Sequence, residues 1–289
     1  MGNKNVSNIE TVIDYIENHL DGKLELEAVS KAIHYSKYHL HRMFSDTVGM
    51  TIHDYVGRRQ LTEAAKFLVF TEKSIIEISL ICGYESQQAF TTAFKSMYKM
   101  PPAEYREKGS FYPLQLRFSL HRKISNLTFS TSDIRFAETT DIPEWMKLIR
   151  LVIDGYPHLD EATYLYNLQD CILEKRALIL EKEAMMTGVM AFSYETSSIE
   201  FMGIHPQYRS SGIQRLFLDK LIEAYLPERE ISTTTYREQD KADTGYRIEL
   251  KQLGFAEREL LVEFGYPTQR FVLPPSNRRK NTNAQNTTT

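Results

Sequence analysis

At 289 residues the chain has room for two domains of ordinary size, and 42% apolar with 25% charged residues is the composition of globular rather than low-complexity protein. No apolar run approaches the roughly 20 residues of a membrane-spanning helix, and Met1–Ser7 lacks the charged-then-apolar pattern of a secretory leader. The net charge of −3 is unevenly spread, with lysine and arginine against aspartate and glutamate standing 13 to 14 in residues 1–110, 3 to 0 in 111–132 and 16 to 24 in 133–275, so bulk charge argues neither for nor against a polyanionic partner and the placement of individual cations must decide. Cys82 and Cys171 lie far apart and match no metal or redox spacing. Both thiols are expected to pack, no metal site is expected, and a reducing, cytoplasmic location follows.

From Asn8 to about Gly109 the pattern is helical throughout. Ile9, Val12, Ile13, Ile16 and Leu20 form one apolar stripe. A short helix near Leu26–Ile33 precedes a second over Ser36–Val48, stopped by Gly49. Thr51 caps a longer helix, Ile52–Phe70, and Ser74 caps Ile75–Cys82, which Gly83 ends. Ser86 opens a helix to about Tyr98, and Pro101-Pro102 close that stretch. The list hides a repeat. Val29, Tyr35, Phe44, Met50 and Tyr55 recur as Ile78, Tyr84, Phe94, Met100 and Tyr105, offset by 49 residues before the turn and 50 after it. One helix-turn-helix unit therefore occurs twice, joined by the Ile52–Phe70 helix.

Such a unit packs its second helix by one face and offers the other to a groove. In the first copy Leu40, Met43 and Phe44 share the inner face, leaving Lys37, Tyr38, His41 and Arg42 outside. Arg42 suits a phosphate or a bidentate contact to guanine. In the second copy Phe90 and Phe94 point inward, Gln87 and Gln88 suit base edges, Thr91 and Thr92 follow, and Lys95 suits phosphate. The runs Ile75-Ile-Glu-Ile-Ser-Leu-Ile-Cys-Gly-Tyr-Glu-Ser-Gln-Gln88, Phe94-Lys95 and Pro101-Pro102-Ala-Glu-Tyr105-Arg106 resemble the DNA-binding domain of the AraC/XylS family of bacterial regulators. Ser36-Lys-Tyr-His-Leu-His-Arg-Met-Phe44 is most similar to the multiple-antibiotic and superoxide-response activators. The resemblance implies an all-α tandem helix-turn-helix domain over 8–109, a monomer placing two reading helices in successive major-groove segments of double-stranded DNA, and RNA polymerase as a further partner. Lys99 departs from the glycine usual in the family.

Residues 111–132 hold no acid and alternate Leu114, Leu116, Phe118 and Leu120, so 110–132 reads as a basic linker or strand. From 133 to 275 strand and helix patterns alternate as in a mixed α/β domain. Strands are expected at Ile134–Ala137, Ala177–Glu181, Thr187–Tyr194, from Ser198, at Ile231–Tyr236 and at Glu259–Phe264, with helices at Ile142–Ile153, Arg215–Tyr225 and Thr244–Leu253. The tail, 276–289, reads as disordered. Between a strand and a helix stands Ile204-His-Pro-Gln-Tyr-Arg209-Ser210-Ser211-Gly212-Ile213-Gln214, and a glycine loop at a helix N-terminus makes a nest of N–H groups for a pyrophosphate. This stretch resembles the acyl-CoA loop of the GCN5-related N-acetyltransferases (GNAT), which implies a mixed central sheet and binding of acetyl-CoA or another acyl-CoA by Ile204 and Arg209 through Gln214. Gln214 stands where that family has a small residue, and Leu250 where many members carry a tyrosine acid, with Tyr246 one turn earlier. No catalytic residue is assigned. Three readings of the second domain stand open: an effector sensor, an N-acetyltransferase, and a ligand-free scaffold or dimerisation domain. A GyrI-like domain is a further alternative against which the loop argues. Tyr156, Asp160, Glu161, Tyr164 and Tyr166 are candidates to line a pocket for a cationic, apolar effector.

Overall fold

The computed structural model describes residues 2–24, 26–121, 127–152, 160–263 and 266–275. The 276–289 tail and Tyr156 lie outside these, as does Ile153, the last residue of one expected helix. Two compact units emerge: Met1–Thr128 with Met146–Asp160 and His205–Ser211, and Phe129–Trp145 with Glu161–Ile204 and Gly212–Thr289.

Among the described residues up to Thr128, the first unit holds α1 (Gly2–Glu17), α2 (Leu26–Ala32), α3 (Lys37–Val48), α4 (Ile52–Phe70), α5 (Ile75–Ile81), α6 (Gln87–Tyr98) and α7 (Pro102–Lys108). Side-chain caps set their starts. The hydroxyls of Ser36, Thr51 and Ser86 accept from the N–H of His39, Asp54 and Ala89, and Ser74 and Glu77 close a reciprocal capping box. The repeat survives in three dimensions. Phe44 meets Tyr55 at 5.7 Å between ring centroids, and their counterparts Phe94 and Tyr105 meet at 5.3 Å.

Two apolar cores result, not one. Ile9, Val12, Ile13, Ile16, Val29, Leu40, Phe44, Ile52 and Tyr55 fill the first; Leu61, Ala64, Ala65, Leu68, Ile78, Phe90, Phe94, Tyr98 and Tyr105 fill the second. Helix α4 serves both, and its middle turn is polar. Arg58, Arg59, Gln60 and Thr62 are all buried. Arg59 donates to both Glu17 oxygens, to Glu63 and to the Gln115 carbonyl. Gln60 donates to the carbonyl of Gly22 at 2.7 Å, and the Gly22 N–H donates to the Ile81 carbonyl at 2.9 Å. The α1–α2 loop is thereby tied to the turn of the second copy. At Gly83, φ is +79°, and a Cβ would lie 2.2 Å from the Gly22 carbonyl oxygen, so only glycine fits.

Residues 110–121 fall in the stretch expected to be a linker or strand. They form no strand but a strap, with Leu114, Gln115, Phe118 and Leu120 buried. Leu114 enters the second core, while Phe118 and Leu120 enter the first. Between them the Gln115 N–H donates to the Thr62 hydroxyl at 3.1 Å.

The second unit holds β1 (Ile134–Phe136), the start of α8 (Ile142–Val152), α9 (Glu161–Leu173), β2 (Ala177–Lys182), β3 (Met185–Phe192), β4 (Ile199–Ile204), α10 (Ile213–Lys220), β5 (Ile231–Tyr236), α11 (Tyr246–Leu253), β6 (Ala256–Glu263) and β7 (Tyr266–Leu273). The mixed character expected of the sheet is refined: β1-β2-β3-β4 and β5-β7-β6 are two antiparallel sheets, and a parallel bridge joins Ser198, just before β4, to Ser232 of β5. Helix α10 begins two residues before the expected Arg215 and gives way at Leu221–Tyr225 to a π-helical turn. It rides close on β3, because a Cβ at Gly188 would lie 2.7 Å from the Phe217 ring. Helix α9 and strand β7 are elements that sequence patterns missed.

Candidate nucleic-acid interface

The α3 face carries Lys37, Tyr38, His41 and Arg42, all exposed, with Tyr38 at 80%. Its inner face, Leu40, Met43 and Phe44, is buried, so the helix divides as its spacing requires. Lys37 pairs with Glu27 at 2.8 Å, and Arg42 with Asp46 at 3.6 Å. The Lys37 and Lys31 ammonium groups hold the Glu27 carboxyl below its usual range. Pairs this exposed are well screened by water, so a phosphate or a base edge can replace the acid at little cost.

Helix α6 presents Gln87, Gln88, Thr92 and Lys95, also exposed, while Phe90 and Phe94 are fully buried. Thr91 is half-buried, and the Thr92 hydroxyl donates back to the Gln88 carbonyl at 2.9 Å, which commits it to its own helix. Gln87 and Gln88 stand in the first turn, where the N-terminal partial charge favours an anion. Lys99 ends the helix in the left-handed conformation, φ +61°, and its Nζ reaches the Ser96 carbonyl at 2.6 Å. The two copies therefore match inside and differ outside.

The segment expected to cradle a pyrophosphate is divided: Arg209, Ser210 and Ser211 belong to the first unit, Ile204, Gly212, Ile213 and Gln214 to the second. Inside the first unit Arg209 packs over Gly49, its Cδ 2.8 Å from where a Cβ there would stand. Inside the second, Gly212 precedes α10 with φ +74° and open space around it. The Gln214 amide is buried and donates to Glu249 of α11 at 3.2 Å. Leu250 is fully buried, and burial, with the nearby Glu249 charge, pushes the Tyr246 hydroxyl up.

The residues expected to line an effector pocket fall in different parts of the chain. Asp160 falls in the first unit, Glu161 is exposed at the start of α9, and Tyr166 is exposed. Tyr164 is built into packing and accepts the Trp145 indole N–H at 2.9 Å. Burial pushes both thiols up, Cys82 to about 12. Among the described residues no His, Cys, Asp and Glu cluster could hold a metal ion, and no helix is long and apolar enough to cross a membrane.

Two helix-turn-helix units sharing one long helix, each with a polar outward helix, define the class of double helix-turn-helix DNA-binding proteins. Residues 29–108 match the family model described as "Helix-turn-helix domain". The chain is 42% identical over 98 residues to the uncharacterized HTH-type transcriptional regulator YbfP of Bacillus subtilis, covering 34% of this chain and 33% of YbfP. It is 38% identical over 104 residues to the multiple antibiotic resistance protein MarA of Salmonella typhimurium, covering 36% of this chain and 82% of MarA. A GNAT-family acetyltransferase structure from Bacillus cereus aligns at 14% identity with a TM-score of 0.39, over 49% of this chain and 95% of that one. The chain spans about a third of the length of YbfP. It belongs to the AraC-type helix-turn-helix family of transcription regulators, and its first hundred or so residues are the DNA-binding domain.

Proposed function

We propose that the chain regulates transcription by laying α3 and α6 against adjacent stretches of one DNA duplex, and that the second unit binds a small effector. One observation carries the reading of DNA: equivalent inner residues are buried in both copies, while the outer residues are polar, differ between the copies and, the half-buried Thr91 apart, are exposed. Lys37, Tyr38, His41 and Arg42 act from one helix, and Gln87, Gln88, Thr91, Thr92 and Lys95 from the other. The test is Arg42→Ala in the full chain, against a duplex enriched by the wild type from a random pool. Affinity is expected to fall by about 1–3 kcal/mol, with relaxed preference at one base position. Unchanged affinity and preference would remove Arg42 from the reading face.

For the second unit the reading is GNAT-like. Its strand order, the parallel Ser198–Ser232 bridge and Gly212 before α10 support it. The ligand class is an acyl-CoA, whose pyrophosphate the N–H groups of Gly212, Ile213 and Gln214 would hold, with Arg209, Ser210 and Ser211 preceding them. Bound, it would supply an activated acyl group. The buried Leu250, where the acetyltransferase pattern has a tyrosine, favours a sensor over a transferase. Titrating the full chain with acetyl-CoA, then measuring duplex affinity with and without it, checks this. Saturable binding that alters duplex affinity is expected. Turnover on amines with no effect on DNA would instead make it an enzyme.

A further inference from the structure

The two reading helices stand on separate apolar cores, and apolar contacts alone would leave their mutual setting loosely defined, since they lack direction. What lies between the cores is polar and directional. In the middle turn of α4, Arg59 is held by Glu17 and by the Gln115 carbonyl, and Thr62 holds the Gln115 N–H. On the α1–α2 side, Gln60 grips Gly22, Gly22 grips Ile81, and Gly83 closes on the same carbonyl with no room for a side chain. Lys23 and Glu85 meet at 3.2 Å over that junction, both well exposed. A buried hydrogen-bonded layer specifies one arrangement, because any slip strands its donors and acceptors.

We infer that this seam, with Gln60 and Gly22 at its centre, fixes the distance between the two DNA segments that the chain accepts. Gln60 is a positioning residue: it touches no DNA and acts through the placement of α6 against α3. The inference rests on the reading of α3 and α6 as the DNA-contacting helices. With the setting fixed, the second helix finds its segment at a high effective concentration; with the setting loose, part of that advantage goes, while each helix still recognises its own bases.

The test uses the full chain as wild type, Gln60→Met and Lys23→Glu, each enriching a randomised duplex pool. Wild type is expected to select two sequence blocks at a single separation. Gln60→Met, which keeps volume and drops the grip on Gly22, is expected to select the same blocks over a spread of separations. Its affinity for the two-block duplex should fall about 10-fold, with that for a one-block duplex unchanged. A general loss of stability would weaken both duplexes alike. Should Gln60→Met fail to melt cooperatively, Lys23→Glu decides, since it sets like charges across the junction on an exposed surface. It should broaden the separations, and adding Glu85→Lys should narrow them again. A single unchanged separation in the variant that folds overturns the inference, as does a wild type that selects two blocks at variable distance. A wild type that selects no sequence overturns the DNA reading itself and this inference with it.

Discussion

At the level of single residues, Lys99 shows how a departure visible in sequence acquires a physical meaning. It ends α6 at φ +61°, a conformation that strains any side chain and that glycine adopts freely. Lys99→Gly is expected to raise stability by about 0.5–1 kcal/mol in urea melts, the lost Nζ–Ser96 contact limiting the gain. His205 works in the opposite sense. It is buried, its Nδ1 accepts the Gln207 N–H, and burial first, then the His121 and Arg209 charges, push its pKa down to about 3. The folded protein therefore keeps the ring neutral while the unfolded chain takes up a proton near pH 6.5. Its contribution is present at neutral pH and is lost as pH falls from about 6.5 toward 3. The urea midpoint should drop between pH 7 and pH 5, and His205→Gln should flatten that dependence; an unaltered slope would refute it. Nothing in the sequence marks this histidine as buried: Gln207 and Arg209 stand beside it in the chain, but His121 comes from a distant segment.

Among the elements, the helices of the first unit were the most legible. Each capped start was written locally, by Ser36, Thr51, Ser74 and Ser86, and each cap is made. The elements missed had no such local sign. Helix α9 drew attention through Tyr164 and Tyr166 as a pocket lining, although Tyr164 serves the packing around Trp145. Strand β7 is the central strand of its sheet yet carries Pro267, a residue that argues against such a position. Pro267 is tolerated near the start of β7, where it pairs with Val262 and lies outside the β5 ladder, which begins at Thr268. At the turn between α5 and α6, Gly83→Ala would force a Cβ to 2.2 Å from backbone oxygen, where no side-chain rotation relieves the clash. A loss of roughly 3 kcal/mol is expected, with both copies loosened together in hydrogen exchange.

For the molecule as a whole, the stretch after Gly109, read from sequence as a linker or strand, is part of the packing of the first unit. The strap of residues 110–121 buries Leu114, Phe118 and Leu120 in the two cores. Each such side chain is worth about 1.5–3 kcal/mol, against a total stability of about 5–15 kcal/mol for a domain. A fragment ending at Gly109 is expected to lack a cooperative thermal transition, and one ending at His121 to show it. Equal melting of both would refute the strap's role. Glu17, Arg59 and Gln115 could not be linked from sequence, because they meet only after folding across 42 and 56 positions of chain.

The twin copies have one more consequence. A reader made of two identical units on a symmetric pair of subunits sees the same duplex from either end. Here the outward residues of α3 and α6 are unlike, Lys-Tyr and His-Arg on one helix against Gln-Gln and Thr-Thr on the other. A single chain bound through both helices is polarised along the DNA, so its target has a left and a right, and the same site inverted is bound by the chain turned end for end.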